Sequence, residues 1–157
     1  MINLISLDTN VKLGFDFLEK LPDDFDVAKS KFEKWVPFVL MLSFPEKTIG
    51  ITEDIRAYMT VYEVEKIYNG LKRLIDGVDG RFSHYSSESL YEVNFEYVPE
   101  DECFDVELWF MVAECPDGRI IGYRIGFGFV TGRNDVKKFL EEFKERFVLL
   151  CPQYSLG

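Results

Sequence analysis

Hydrophobic and polar residues alternate through two neighbouring segments of the chain, residues 89–98 and 104–112. In an extended strand successive side chains point to opposite faces, so this period of two predicts two half-buried β-strands. The loop between them, Pro-Glu-Asp-Glu-Cys at 99–103, suits a β-hairpin. One face of the pair is apolar, and the opposite face carries Glu92, Asn94 and Glu96 on the first strand and Asp105, Glu107, Trp109 and Met111 on the second.

A third strand is predicted at residues 121–129, where apolar residues alternate with three glycines and an arginine. The preceding Cys-Pro-Asp-Gly-Arg at 115–119 supplies a turn, so the three strands form an antiparallel meander. The glycines do not match a phosphate-binding loop, because their spacing is G-x-G-x-x-x-G and no Gly-Lys-Ser/Thr follows. Gly126 and Gly128 on a nearly bare face instead indicate close packing of another backbone, a bulge or a tight bend.

Two helices are predicted from their start signals and their apolar stripes. Thr60 and Glu63 form a capping box, an apolar stripe follows at three- and four-residue spacing, and Gly77 ends the run. Asn134 or Asp135 is predicted to cap a last helix. Its apolar stripe consists of Val136, Phe139, Leu140, Phe143 and Phe147.

The remaining segments are less regular. Alternation at 11–17 predicts a short strand, and the apolar run 35–44 predicts a buried strand in which Pro37 must lie at an edge or near the strand start. Residues 45–58 are interpreted as connecting chain, and residues 81–89 as a loop. The whole pattern predicts a single α+β domain, residues 1–157, with an antiparallel sheet and two main helices packed on one face.

Composition favours a self-sufficient soluble domain. The chain has 157 residues, of which 47% are hydrophobic, and this length permits a core without disulfide or metal support. The N-terminus lacks a basic lead and a cleavage site, and no apolar run reaches the roughly 18 residues of a membrane span, so we expect a cytoplasmic protein. Cys103, Cys115 and Cys151 are odd in number and form no C-x-x-C pair, which indicates packing residues rather than a disulfide framework or a zinc site.

The net charge of −10 is concentrated in one segment. Residues 82–118 contain ten Asp and Glu and no Lys or Arg, whereas the other 120 residues carry 18 acidic and 18 basic side chains. Such a field repels phosphate backbones and anionic membranes and steers cationic partners. We therefore expect a cationic protein partner and neither nucleic-acid nor membrane binding.

Candidate catalytic groups are few. His84 is the only histidine, no G-x-S-x-G motif is present, and a lone histidine in a polar loop is expected to be solvated. The acidic residues at 100–105 miss the positions and the glycine of an EF-hand, so no metal or cofactor is expected. A pair of carboxylates for acid/base hydrolysis stays open, because their separation is not visible in a sequence. We predict that the protein is not an enzyme.

The polar face of the first two predicted strands is the strongest candidate site. Carboxylates crowded on one face cost stability, and a tryptophan among them is a recognisable anchor for a protein partner. An equally good interpretation is a solvated sheet face whose tryptophan is covered by another segment. On the first interpretation the partner-binding residues are Glu92, Glu96, Asp105, Glu107 and Trp109.

Several segments between residues 35 and 147 together resemble the WapI-type immunity proteins, which bacteria make to neutralise delivered toxins. The segments are "WVPFVLMLSF", "TVYEVEKIYNGLKRLI", "SLYEVNFEYV", "FDVELWFMV" and "YRIGFGFVTGRNDVKKFLEEFKERF". The resemblance implies a cytosolic antitoxin that acts by occlusion, without catalytic residues. The charge is independently consistent with this role, because nuclease toxins are often basic.

A second hypothesis comes from a different functional class. A small-ligand-binding or hydrolytic α+β domain of a metabolic pathway would use a pocket between the helices and the sheet. The two hypotheses therefore place the functional site on opposite sides of the same sheet.

Overall fold

The computed structural model describes residues 1–27, 30–112 and 123–157. Two antiparallel sheets and two long helices confirm the predicted α+β class. The strands are thus divided between two sheets. The first sheet contains β1 (Ile2–Ile5), β2 (Lys12–Phe17), β3 (Trp35–Ser43) and β4 (Thr48–Ile51) in that order, and β5 (Tyr58–Thr60) pairs with the start of β3.

The second sheet is a meander in chain order. Helix α1 (Val61–Ile75) leads into β6 (Arg81–Tyr85), β7 (Tyr91–Val98), β8 (Cys103–Val112) and β9 (Tyr123–Gly132), and helix α2 (Arg133–Leu150) follows at once. The predicted strands at 11–17, 35–44, 89–98 and 104–112 are confirmed as β2, β3, β7 and β8, and the third predicted strand of the meander is β9. The predicted turn at 115–119 lies outside the described residues.

Strand β3 is central in its sheet, so of the two positions predicted for Pro37 only the one near the strand start is correct. The Pro37 carbonyl accepts a hydrogen bond from the backbone N–H of Leu18, just beyond the end of β2. In an antiparallel strand the nitrogen and the carbonyl of one residue point to the same side. The Pro37 nitrogen therefore points toward β2 beyond the last residue pair of the two strands, Phe17 and Phe38, so its missing N–H interrupts no pairing within β2.

Two predictions about irregular chain are wrong. Residues 45–58 contain β4, a 3-10 turn at Glu53–Ile55 and the start of β5, and the predicted loop at 81–89 begins with β6. Strand β1 was not predicted either. Strands β1, β4 and β5 have only three or four residues each, too few to display a clear period, and they and β6 form because the longer β2, β3 and β7 offer them pairing edges.

Helix α1 begins and ends as its sequence predicts. The Thr60 hydroxyl accepts a hydrogen bond from the Glu63 backbone N–H at 3.2 Å, and the Glu63 carboxylate accepts one from the Thr60 backbone N–H at 2.8 Å. These two bonds form the capping box. At the other end Gly77 adopts a φ of +72°, the left-handed conformation that commonly terminates a helix.

The predicted cap of α2 is wrong. Strand β9 continues to Gly132, which is itself the N-cap and makes no side-chain capping bond, so Asn134 and Asp135 both lie inside the first turn. The carboxylate of Asp135 still favours the helix start, because it faces the positive end of the helix dipole.

Both helices pack against the inner faces of the sheets, α1 beside β5 and β6 and α2 beside β1, β2 and β9. One continuous hydrophobic core results, in which the Phe15 ring lies 5.9 Å from Phe38 and 5.2 Å from Phe143. The sheets also meet directly, because the Leu7 N–H donates to the Val130 carbonyl at 2.8 Å. The polar face of the second sheet is directed away from this core.

Replacement of Thr60 by alanine should lower the free energy of unfolding by about 1 kcal/mol, because the helix loses its N-cap. Thr52→Ala is the matched control: Thr52 is the N-cap of the 3-10 turn but makes no side-chain capping bond. Urea unfolding followed by circular dichroism measures both variants. Equal midpoints for the two variants would contradict a stabilising role for the capping box.

Candidate functional site

The structure places the five candidate residues on one face of the second sheet, here called the outer face. Glu92 lies opposite Trp109, and Glu96 lies opposite Asp105, in the register of β7 and β8. Glu107 lies between these rows, opposite Asn94. The alternate residues of both strands are buried in the core: Tyr91, Val93 and Phe95 on β7, and Phe104, Val106, Leu108 and Phe110 on β8.

Arginines from β6 and β9, the edge strands of the second sheet, neutralise part of this face. The Arg124 guanidinium lies 3.0 Å from the Glu92 carboxylate, and the Arg81 guanidinium lies 3.2 Å from the Glu96 carboxylate. Both arginines flank the segment 82–118 and are brought beside its carboxylates by strand pairing. Although residues 82–118 contain no Lys or Arg, the outer face that they form does include two arginines from neighbouring strands. The outer face is therefore less acidic than β7 and β8 alone would make it.

Asp105 and Glu107 on β8 are exposed, and within the described residues they form no ion pair. They border a shallow hollow of about 350 Å³ on the outer face. A concave polar surface of this kind can receive the cationic end of a long side chain. The hollow is lined by Arg81, Ser83, Asn94, Phe95, Glu96, Asp105 and Glu107.

Trp109 is half-buried, and its indole lies over Gly126 on β9. A Cβ atom at Gly126 would stand only 2.4 Å from the indole ring, so no larger residue fits beneath the indole in this position. Of the three interpretations of these glycines, close packing of another backbone does not apply at Gly126, because the group packed on it is the Trp109 side chain. At Gly128 the nearest atom to an added Cβ is the Val106 carbonyl oxygen at 4.0 Å, so this position is open.

Strand β6 contributes residues that the sequence interpretation missed. Tyr85 lies opposite Glu92, is 48% exposed and belongs to the same row as Trp109. The segment Arg-Phe-Ser-His-Tyr does alternate, with Phe82 and His84 buried and the other three side chains exposed. That alternation could have predicted β6 from the sequence. It was overlooked because one of the two inward positions holds a histidine, which is usually counted as polar.

His84 is only 1% exposed, so the expectation of a solvated loop histidine is wrong. Its Nε2 atom lies 3.6 Å from the buried carboxylate of Glu63, and neither ring nitrogen has a hydrogen-bond partner within the described residues. Burial lowers the pKa of His84 to about 4; the nearby Lys66 acts in the same direction, while Glu63 opposes both. At neutral pH His84 is therefore an uncharged core residue.

The other chemically notable side chains are dispersed. Cys103 and Cys151 are free and buried, and burial raises the pKa of the Cys151 thiol to about 11; Cys115 lies outside the described residues. In the described ranges no three His, Cys, Asp or Glu side chains converge as a metal site. Neither α1 nor α2 has the length and apolar character needed to cross a membrane.

The fold and the outer face define a small α+β protein that presents carboxylates and aromatic rings on one exposed sheet. Residues 7–148 match the family model described as the Immunity protein WapI-like family, and the chain belongs to that family. No curated protein and no solved structure matches the chain.

The low pKa of His84 makes stability depend on pH. The unfolded chain takes up a proton near pH 6.5 whereas the folded chain does so near pH 4, so folding loses stability as the pH falls between these values. The full contribution is about 3 kcal/mol. We expect the difference in unfolding free energy between wild type and His84→Gln to shrink by this amount from pH 7 to pH 4. A pH-independent difference in denaturant titrations would show that the histidine is solvated.

Proposed function

We propose that this immunity protein binds a cognate toxin domain with a cationic surface, such as that of a nuclease, and neutralises it by occlusion through the outer face. The observation that carries the proposal is the position of exposed Asp105 and Glu107 beside the half-buried indole of Trp109. Binding alone suffices for this mechanism, because a covered surface cannot reach its substrate.

The charges on the outer face divide into two groups with different roles. Glu92 is held by Arg124 and also accepts a hydrogen bond from the Asn94 amide at 3.2 Å, so its role is to fix the geometry of the face. Asp105 and Glu107 are exposed on the central strand and can meet lysines or arginines of a partner. Glu96, paired with Arg81 at the rim, is intermediate between these roles.

The aromatic residues supply the apolar part of the proposed interface. Trp109 and Tyr85 lie in one row with Glu92 between them, and both rings reach the surface of the outer face. Tryptophan and tyrosine dominate the energetics of many interfaces when charged residues surround them. We assign Trp109 as the central anchor and Tyr85 as its flanking contact.

The competing hypothesis of a small-ligand or hydrolytic domain receives less support. The space between the helices and the sheets, where its ligand would bind, amounts to about 40 Å³. This volume is close to that of one water molecule, whereas ligand pockets measure roughly 300 Å³ or more. The walls of this space are almost wholly apolar, with Leu13, Phe15, Leu71 and Phe143 among them, and the described lining residues include no carboxylate, histidine or cysteine.

Association with the toxin domain encoded by the adjacent gene should slow steeply as salt rises, because exposed carboxylates steer a cationic partner. Glu107→Lys should reduce the association rate at low salt by about tenfold and flatten its salt dependence. The matched control is Glu53→Lys, a charge reversal at an exposed site of the 3-10 turn. Stopped-flow rates that ignore both salt and the Glu107 substitution would exclude electrostatic steering by this face.

Trp109→Ala should weaken toxin binding by about 2 kcal/mol or more, as expected of a central anchor. Trp35→Ala is the control, since Trp35 is also partly exposed, at 38%, but lies on the first sheet. Isothermal titration calorimetry gives the affinities, and thermal melts establish that each variant is folded. A folded Trp109→Ala protein that still protects cells fully would remove the outer face from the mechanism.

A further inference from the structure

Strand β9 has a second edge that faces away from β8. The Leu7 N–H donates to the Val130 carbonyl at this edge, so the backbone groups of Val130 point away from β8. The direction alternates along an antiparallel strand. The N–H and C=O groups of Gly128, Gly126 and Arg124 therefore point to the same edge.

Within the described residues the pairing of this edge stops at Leu7. After Leu7 the segment that follows β1 turns away from β9 through residues 8–10 and enters β2. No described backbone group bonds to Gly128, Gly126 or Arg124 from this side. All three residues are exposed. The edge thus presents a row of backbone donors and acceptors to solvent.

This edge lacks the protection usual for edge strands. Natural sheets keep their edges short or interrupt them with prolines, bulges and charged side chains. The edge strands β4 and β6 have four and five residues, whereas β9 has ten. Between Arg124 and Gly132, β9 carries neither a proline nor a second charged residue.

A groove of about 610 Å³ opens beside the edge. Two of its lining residues contact β9 directly: Leu7 through its bond to Val130, and Phe44 through its ring, which lies 5.3 Å from that of Phe127. On the side of β9 facing the core, Ile125 is 41% exposed and Phe127 is only half-buried. The groove, lined by residues 5–12 and 43–45, thus adjoins β9 through Leu7 and Phe44, and the apolar side chains of Ile125 and Phe127 are available there to contact an added segment.

We propose that the exposed edge of β9 receives an extended segment of the toxin, which pairs with Gly128, Gly126 and Arg124 as a fifth strand of the second sheet. This inference rests on the proposed function. It adds that recognition is by backbone pairing at the edge together with contacts on the outer face.

The two glycines determine which segment fits. Residues of the added strand directly opposite Gly126 and Gly128 project onto the outer face, and no side chain on β9 separates them from β8, roughly 10 Å away. A basic side chain opposite Gly128 reaches toward Glu107, and one opposite Gly126 meets the indole of Trp109. The intervening residues face Ile125 and Phe127 and should be apolar, so the segment alternates basic and apolar residues.

The decisive variant is Gly128→Pro, which removes the N–H at the edge but leaves the ladder with β8 intact, since this N–H points away from β8. Gly128→Ala is the matched control, because it keeps the N–H and adds a methyl group in open space. Affinity for the toxin domain encoded by the adjacent gene should be at least about tenfold lower for the proline variant than for the alanine variant, because only the proline variant loses the N–H group. Amide hydrogen exchange at Gly126 and Gly128 should slow in the wild-type complex.

Ile125→Lys provides a second test if the proline variant does not fold. It places a charge on the exposed apolar side of the edge, a device that natural edge strands use against pairing. It should weaken binding about as strongly as Gly128→Pro.

The outcomes separate this inference from the proposed function. Equal affinities of the proline and alanine variants, or unchanged exchange of the two glycine amides, would overturn edge pairing while the outer face stays the binding surface. A dimer of the free chain that Gly128→Pro converts to a monomer would assign the edge to a second copy and overturn the inference. A toxin domain that fails to bind the wild-type chain would overturn the proposed function and this inference with it.

Discussion

The carboxylate of Glu63 accepts hydrogen bonds from the backbone N–H and the hydroxyl of Thr60 and from the backbone N–H of Ser87, while being almost completely buried. Thr60 is the last residue of β5 in the first sheet, and Ser87 belongs to the turn after β6 in the second sheet. One side chain therefore joins both sheets at the start of α1. A buried carboxylate is costly unless its oxygens are satisfied, so displacement of either sheet would leave charge unsolvated. The orientation of the outer face depends on this junction.

The same junction explains why a histidine belongs in the core. His84 is adjacent to Glu63, and burial keeps it neutral, so its ring fills space between β6 and Tyr91 much as an aromatic residue would. Its two nitrogens, which have no hydrogen-bond partner among the described residues, reduce stability, and they are tolerated at this position because the long apolar strands around them contribute far more burial. A polar residue at an inward position thus marks a site where packing overrides residue preference.

Sequence periodicity predicted the elements that are long enough to repeat their pattern. Strands β7 and β8 and helix α1 present at least four alternations or turns, so the face of each side chain followed directly. Strands β1, β4 and β5 have three or four residues and exist through pairing with distant chain, a tertiary effect that no local pattern records. The cap of α2 was misplaced for a related reason: β9 runs directly into the helix, so the capping position was already occupied by a strand residue.

Sequence periodicity placed the candidate residues of β7 and β8 on one face, but it predicted neither the contribution of Tyr85 on β6 nor the ion pairs on this face. Period two assigned Glu92, Glu107 and Trp109 to one face, but the Arg124–Glu92 pair joins residues 32 positions apart, and its formation depends on the register between β8 and β9. The contact between Trp109 and Gly126 depends on the same register. A glycine beneath the indole lets a large ring lie flat on the sheet, which keeps the ring partly exposed and the face smooth. The same lack of side chains leaves Gly126 and Gly128 exposed at the edge of β9, so the position of the Trp109 indole and the exposure of this edge both follow from glycine in β9.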